Sequence, residues 1–459
     1  MSSVCEGDSI VGRKLQDVEC PALTIDLAIV KRNCQEMLDQ CHNLSFNFRA
    51  HIKTHKTAEL TRLQVGDSSD VRLIVSTAAE AEHILPFLQE CRAQGKTVDI
   101  LYGLPPSSSA VTRFSKIAKV AGPGSVALLI DHVLQLPLVN QLKKESGIPP
   151  RIMIKIDMGT HRAGVTLESK ALRDLALAVV QAQRNGDLKI LGLYSHAGHS
   201  YNGGRTDEAI NVLNDELESL FRAASLFESS TSVLTLSVGA SPTAMAIGNF
   251  SSTHSDTIEY TGTVEEARAH SQKLITTLSL IRKAGFTIEI HAGVYPVLDL
   301  QQLAAHARPR SQISWSSLGM TILSEVVSLY PERGVNGSTE VLIAAGGLAL
   351  GREPCKAYTG WGILMPWNNS QMSTFSNHVS VEGFNGWQVG RLSQEHGILT
   401  WKDEDISAAP QLKMGQKVRI YPNHACIAAA YFHKFLVVDS SIQGMEDTVQ
   451  EVWTSAQGW

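Results

Sequence analysis

From about residue 22 to residue 295, short β-rich runs alternate with stretches in which apolar residues recur every three or four positions. This is the alternation of a parallel sheet whose strands are joined by crossover helices. The first helix shows the logic. Asp26 can cap it, and Leu27, Val30, Cys34, Met37, Leu38 and Cys41 form one apolar stripe that should pack on the sheet. Candidate strands end near Lys53, Thr77, Tyr102, Asp131, Ile156, Ser195, Val238 and His291, each followed by polar or glycine-rich residues and then a helical pattern. Eight such units predict an α/β fold, a TIM-type (β/α)8 barrel over residues 20–311, with the active site at the C-terminal ends of the strands. A doubly wound sheet fits the same alternation, because periodicity does not say whether a sheet closes.

Beyond about residue 312 the pattern changes to short alternating segments with frequent Gly, Pro and Trp. Ile313–Ile322, Val341–Ala345, His378–Val381, Gly386–Leu392, Lys417–Tyr421 and Phe435–Val438 predict a second, mainly antiparallel β domain over 312–459. Residues 1–19 are expected to pack with that domain or to be disordered. The Ser- and Thr-rich stretch from Asn249 to Thr263 predicts a loop insertion in the barrel half.

Composition narrows the class. With 459 residues, 43% hydrophobic and 19% charged, the chain has the makeup of a soluble globular protein of more than one domain. Forty Lys and Arg against 45 Asp and Glu, with no basic block, argue against nucleic acid and for a small-molecule partner. The longest apolar runs, Val126 to Ile130 and Ile343 to Leu350, are too short to cross a membrane. The opening Met-Ser-Ser-Val-Cys-Glu-Gly-Asp lacks the basic and apolar regions of a signal peptide, so the expectation is a cytoplasmic protein. Seven scattered cysteines with no CxxC pair fit reduced thiols.

Candidate chemistry concentrates at the predicted strand ends. Arg49-Ala50-His51-Ile52-Lys53-Thr54-His55-Lys56 is either a solvated basic loop or, if the strand continues, a face on which Arg49, His51, Lys53 and His55 point into the barrel mouth. An amine desolvated among cations loses its proton more readily, which suits Schiff-base chemistry and favours Lys53 over Lys56. Ser237-Val238-Gly239-Ala240-Ser241-Pro242-Thr243 reads as a strand end, a small-residue turn and a helix start, with Ser241 capping and Pro242 at the first helical position. Such a helix N-terminus binds phosphate. Gly293 after the eighth strand permits close backbone approach, and Tyr295 can donate to a phosphate oxygen. Each turn is equally readable as an ordinary tight turn. Arg162 could pair with a cofactor's phenolate oxygen, and His196 is either a hydrogen-bonded core histidine or a ring lying flat against a cofactor. In the β domain, His424 and Cys426 fall on one face if their segment is extended. They are either a buried pair or two ligands of a zinc site with open positions.

Taken together these segments resemble the fold-type III pyridoxal-phosphate enzymes related to alanine racemase, in the branch that holds eukaryotic D-serine dehydratase and D-threonine aldolase. The resemblance runs from Pro21-Ala22-Leu23-Thr24-Ile25-Asp26 to His424-Ala425-Cys426. The family pattern RPHxKTHK appears as Arg49 to Lys56 with Ala50 in place of proline. The resemblance implies that Lys53 carries pyridoxal 5'-phosphate, and that Arg162, Tyr194, His196, Tyr201, Thr243, Gly293, Val294 and Tyr295 are its neighbours. It implies that His424 and Cys426 hold Zn2+, and the cysteine favours dehydratase over the aldolase branch, where a carboxylate is typical. The implied reaction is D-serine to pyruvate and ammonia, with D-threonine as a second substrate. The alternatives are a metal-dependent D-threonine aldolase and a non-catalytic pyridoxal-phosphate carrier. The resemblance also implies a homodimer.

Overall fold

The computed structural model describes residues 10–227, 233–251, 264–367 and 381–459. Its first strand, β1 (Ala22–Asp26), does not enter the barrel. It pairs antiparallel with β11 (Met320–Tyr330) and parallel with β17 (Lys434–Val438), in a sheet made otherwise of C-terminal strands. The boundary at residue 20 is therefore corrected. Of the described residues, those within 10–34, 296–304 and 310–455 form one compact unit and those within 35–295, 305–309 and 456–459 form the other. A β-rich run read alone carries no mark of which sheet it joins, since partner choice is made by strands about three hundred residues away.

The barrel unit contains all eight expected strands. They are β2 (Asn47–His51), β3 (Asp70–Val75), β4 (Thr97–Tyr102), β5 (Val126–Ile130), β6 (Arg151–Asp157), β8 (Lys189–Tyr194), β9 (Thr235–Val238) and β10 (Thr287–Ala292). They pair in parallel in the order β5-β4-β3-β2-β10-β9-β8-β6, and a β5–β6 pairing closes the ring, which excludes the doubly wound sheet. A two-residue strand, β7 (Val165–Thr166), adds to the edge of β6. Ile74, Leu101, Ala127, Leu129, Met153 and Tyr194, from five of the strands, pack into one buried cluster.

The β unit orders its strands β12-β15-β14-β13-β16-β11-β1-β17-β18, with β12 (Glu340–Ile343) also paired to β11. The intervening strands are β13 (Gly362–Leu364), β14 (Trp387–Leu392), β15 (Gly397–Trp401), β16 (Lys417–Pro422) and β18 (Glu451–Thr454). Every pairing is antiparallel except β1 with β17. Residues 10–19 belong to this unit. Gly12 donates its N–H to Val449 O, and Leu15 and Val18 pack with Leu323, Leu436, Val438 and Val449.

Two further expectations shift. The helix Ser241–Ser251 runs through Asn249, so any insertion begins later, and residues 252–263 lie outside the described residues. The expected strand His378–Val381 falls outside them too, apart from Val381. Asp26 does cap the first helix, its Oδ1 accepting from the N–H groups of Ala28 (3.1 Å) and Ile29 (3.4 Å). Val30, Cys34, Met37 and Cys41 of the expected stripe are buried. No described helix is long and apolar enough to cross a membrane.

Arg49 departs from its expected place at the mouth. It shares a face with His51, but two residues along a strand is about 6–7 Å, one layer deeper in a barrel. There it is 1% exposed, with Nη2 2.7 Å from Asp99 Oδ2 on β4 and Nε 2.7 Å from Glu289 Oε1 on β10. Replacing one member of such a set leaves the others charged, buried and uncompensated. Arg49→Met is expected to destabilise the barrel unit by about 3–5 kcal/mol, while Arg49→Lys, which keeps the charge that balances the two carboxylates, loses less. Urea unfolding followed by far-UV circular dichroism checks both.

Candidate active site

β2 ends at His51, so the alternation expected to carry Lys53 and His55 onto its inner face stops short of both. The chain turns instead, with the amides of His55 and Lys56 bonding back to Ile52 O and with Lys56 in the left-handed region at φ 55°. His55 is buried in that turn, its ring nitrogens 3.1 Å from Thr57 Oγ1 and 2.9 Å from Gln64 Oε1, which removes it from the candidates. Lys56 Nζ lies 3.5 Å from Glu80 Oε1. Lys53 lies elsewhere: its charge is felt by His51, His196 and Lys155, which places it among the polar groups at the strand ends.

Three histidines gather there, and the hydrogen bonds fix their protons. His196 Nδ1 lies 2.9 Å from the carbonyl of Gly239, so Nδ1 carries the hydrogen and Nε2 the lone pair. Burial first, and then the charges of Arg162 and Lys53, push its pKa down to about 3. His291 stacks on Tyr194 with ring centroids 4.2 Å apart and planes at 10°, and His196 lies parallel to it at 6.3 Å. Ser237 Oγ donates to Glu289 Oε1 at 2.8 Å, so it must accept from His291 Nδ1 at 3.1 Å. This leaves His291 Nε2 as a buried lone pair with no hydrogen-bond partner among the described residues. Burial and neighbouring charge hold His291 and His51 neutral as well. Lys155 on β6, which the sequence reading did not single out, is lowered to about 8 by burial and then by the Arg162 charge, against the pull of Asp131.

The turn after β9 is built for close approach. Gly239 has φ +148°, and a Cβ there would sit 2.1 Å from the carbonyl oxygen of His291. A Cβ on Gly293 would meet the His51 carbonyl at 3.3 Å. Ser241 is the first helical residue rather than the cap. It is Thr243 whose Oγ1 reaches back to accept the Ala240 N–H at 2.8 Å. Tyr201 is half-buried in the turn Gly198–Asn202, and Val294 is buried in the turn after β10. Tyr295 packs edge-on against Phe48 with centroids 5.5 Å apart.

A residue missed by the sequence reading organises these turns. Glu216, fully buried on the helix Thr206–Ala224, accepts from Ser195 Oγ (2.9 Å), Ala197 N (3.0 Å), Gly239 N (3.4 Å) and Thr243 Oγ1 (3.0 Å). The signal was a glutamate on the apolar side of a strongly amphipathic helix, flanked by Leu213, Leu217 and Leu220. Burial, opposed by those hydrogen bonds, raises its pKa from 4.5 to about 7.

A pyridoxal phosphate needs an amine, a flat polar wall and a phosphate cradle. The residues fit it: Lys53 supplies the amine, and the stacked neutral rings with the orphaned Nε2 of His291 supply the wall. The small-residue turn leading into the helix Ser241–Ser251 supplies the cradle.

In the β unit, His424 stands in extended backbone (φ −134°, ψ 105°), but Cys426 lies on the short helix Ala425–Ala429. The segment is therefore not a strand, as its alternation suggested. The side chains still meet, in a hydrogen bond between His424 and Cys426. Burial would lower the His424 pKa, but that bond, the thiolate charge and the carboxylates of Asp299 and Glu353 hold it up, to about 9. Asp299, also missed, accepts the Ala425 N–H at 2.8 Å and the Gln302 N–H at 2.9 Å and so fixes the turn. Its only mark in the sequence is the capping position before Leu300-Gln301-Gln302. Imidazole with thiolate is a donor set for a borderline-soft divalent ion. Among the described residues no group of three or more His, Cys, Asp or Glu is arranged to hold a metal.

Because its carboxyl is raised, Glu216 contributes stability that is fully present below pH 4.5 and is lost as pH rises through about 7. Glu216→Gln is expected to flatten the wild-type fall in stability across that window, a fall of up to about 3 kcal/mol, while Glu216→Ala loosens cofactor binding at every pH. Thermal unfolding and cofactor titration from pH 5 to 8 check this.

Residues 25–259 match the alanine racemase N-terminal domain family, and residues 319–438 match the serine dehydratase domain family. The chain is 34% identical to a D-serine dehydratase of Schizosaccharomyces pombe, over 98% of this chain and 94% of that protein. It is 31% identical to a D-serine dehydratase of Saccharomyces cerevisiae, over 98% of each. In fold it is similar to D-threo-3-hydroxyaspartate dehydratase from Delftia sp. HT23, with a TM-score of 0.71, 23% identity and coverage of 97% of this chain and 100% of that one. A cysteine-to-alanine variant of that enzyme is solved in a metal-free form. The chain belongs to the D-serine dehydratase family, pyridoxal-phosphate lyases of the alanine racemase-like fold.

Proposed function

We propose that the protein is a pyridoxal-phosphate- and zinc-dependent D-serine dehydratase that converts D-serine to pyruvate and ammonia and also accepts D-threonine. The observation that carries the reading is Lys53 set among His51, His196 and Lys155. In that setting burial and neighbouring positive charge keep both imidazoles neutral.

In this reading Lys53 Nζ would hold the cofactor, and the freed amine would take the proton from Cα. Pyridoxal phosphate, when bound, would supply an electron sink for the charge left on that carbon. Arg162, exposed in the structure, would pair with the cofactor's phenolate oxygen. His196 would pack on the ring without protonating it, because its one hydrogen is committed to Gly239 O. Tyr194, buried and stacked on His291, keeps its phenol proton, since burial pushes its pKa up. Thr243 with the turn around it, Tyr201 and Tyr295 would receive the phosphate, and Gly293 and Val294 would allow its close approach. His424 and Cys426 would hold zinc, which would supply Lewis acidity to the departing β-hydroxyl. Elimination and hydrolysis return the water that was lost, so carbon, nitrogen and oxygen balance as pyruvate and ammonia. The reading includes a cytoplasmic homodimer, supported by the family resemblance and tested by light scattering of the loaded protein.

With purified protein loaded with zinc and pyridoxal phosphate, D-serine is expected to give equal amounts of keto acid and ammonia. Lys53→Ala should lower the rate by roughly 10³-fold or more. Chelation should abolish product formation and zinc restore it, with His424→Ala and Cys426→Ala losing bound metal and activity together. Glycine plus an aldehyde from D-threonine would assign the aldolase reaction instead. A yellow protein unchanged by chelation and without turnover would assign the carrier.

A further inference from the structure

At the N-terminal end of the barrel, opposite to the strand ends that carry Lys53, lies a second cavity of about 640 Å3. Its volume is in the range of small-ligand sites. Five cationic side chains line it, Arg49, Arg72, Arg92, Lys96 and Arg151, against three carboxylates, Asp70, Asp99 and Glu289. The carboxylates are already shared. Asp99 pairs with Arg49 at 2.7 Å and Arg151 at 2.6 Å, Glu289 pairs with Arg49 at 2.7 Å and Arg72 at 3.5 Å, and Asp70 pairs with Arg72 at 3.4 Å. Arg92 bonds only a carbonyl, that of Pro123, and no carboxylate pairs with Lys96 among the described residues. Nε and Nη2 of Arg151 are buried without a well-directed hydrogen bond, although Nη2 is close to Asp99, and Nε of Arg92 is in the same condition.

We propose that this cavity binds a small multivalent oxyanion, a phosphate or dicarboxylate group seated between Arg151, Arg92 and Lys96. The charge balance asks for it. Two positive charges in excess, on groups held close by the barrel wall, repel each other in a setting only partly open to water, and a dianion cancels that excess. The guanidinium groups offer planar donor pairs that match oxyanion geometry. The inner wall supports them, since the nearly fully buried Arg49–Asp99–Glu289 set fixes where Arg72 and Arg151 can lie. The inference concerns the floor of the barrel and stands whether or not the proposed reaction at the mouth is correct.

The test uses the full chain loaded with pyridoxal phosphate, so that the phosphate cradle at the mouth is filled. Thermal unfolding is followed while inorganic phosphate, or separately malonate, is titrated against chloride at matched ionic strength. The expected result is a saturable rise in Tm of about 3 °C with at least one of the two anions, lost in Arg92→Gln/Lys96→Gln. Those side chains have no carboxylate partner, so their loss should not impair folding. Arg151→Gln gives a second variant with the same expected loss, and the stronger anion identifies the ligand's chemistry. A rise that does not saturate, one that persists in the double variant, or one accompanied by loss of cofactor absorbance would overturn the proposal.

Discussion

The barrel is organised around one buried cation. Arg49 reaches from β2 to Asp99 on β4 and Glu289 on β10, tying together three strands in a nearly fully buried layer. From there a continuous series of hydrogen bonds climbs toward the mouth. Glu289 accepts from Ser237, Ser237 accepts from His291 Nδ1, and His291 lies face to face with Tyr194. A charge that must be paired at the floor thus determines which nitrogen of a histidine is left free at the top. The cost of an unpaired buried ion is several kcal/mol, so the register of β2, β4 and β10 and the tautomer of His291 are set by the same constraint.

Above that layer the chemistry rests on keeping imidazoles neutral and amines available. His291 is buried and His51 and His196 are half-buried beside Lys53, Lys155, Arg49 and Arg162, and both desolvation and repulsion hold their protonated forms out of reach. What remains is an array of fixed dipoles and lone pairs around one lysine, suited to a ligand that brings its own charge. Glu216 supports the same region from behind, bonding the loops after β8 and β9 from a helix that touches neither substrate nor metal directly in any reading of the site.

Much of this was legible in the chain. The eight strand ends, the cap at Asp26 and the apolar stripe behind it follow from local periodicity, which the backbone enforces residue by residue. Lys53 was separable from Lys56 because a strand-end turn admits one lysine and directs the other away, although the turn begins at Ile52 and not beyond Lys53. His424 and Cys426 were legible as a pair from their spacing, yet for a reason different from the one the spacing suggested. A helix start, held by Asp299, brings them together where an extended strand was expected. Asp299, Glu216 and Lys155 escaped notice because a lone acid or amine in an amphipathic run looks the same whether it faces solvent or a buried turn. Burial is not a local property.

The sequence by itself determined most of the element types, their order and the eight-unit count, because these depend on side-chain period, capping and turn chemistry over a few positions. Only the tertiary structure decided that the sheet closes, that β1 joins the C-terminal strands and that Arg49 sits in the floor and His55 in a structural turn. It alone brings Glu216 beneath Gly239 and Thr243. Apart from the His55 turn, whose partners Thr57 and Gln64 are two and nine positions away, each of those outcomes is a pairing between residues from about twenty to about four hundred positions apart, chosen by burial, charge compensation and backbone hydrogen bonding, which no short stretch of sequence encodes.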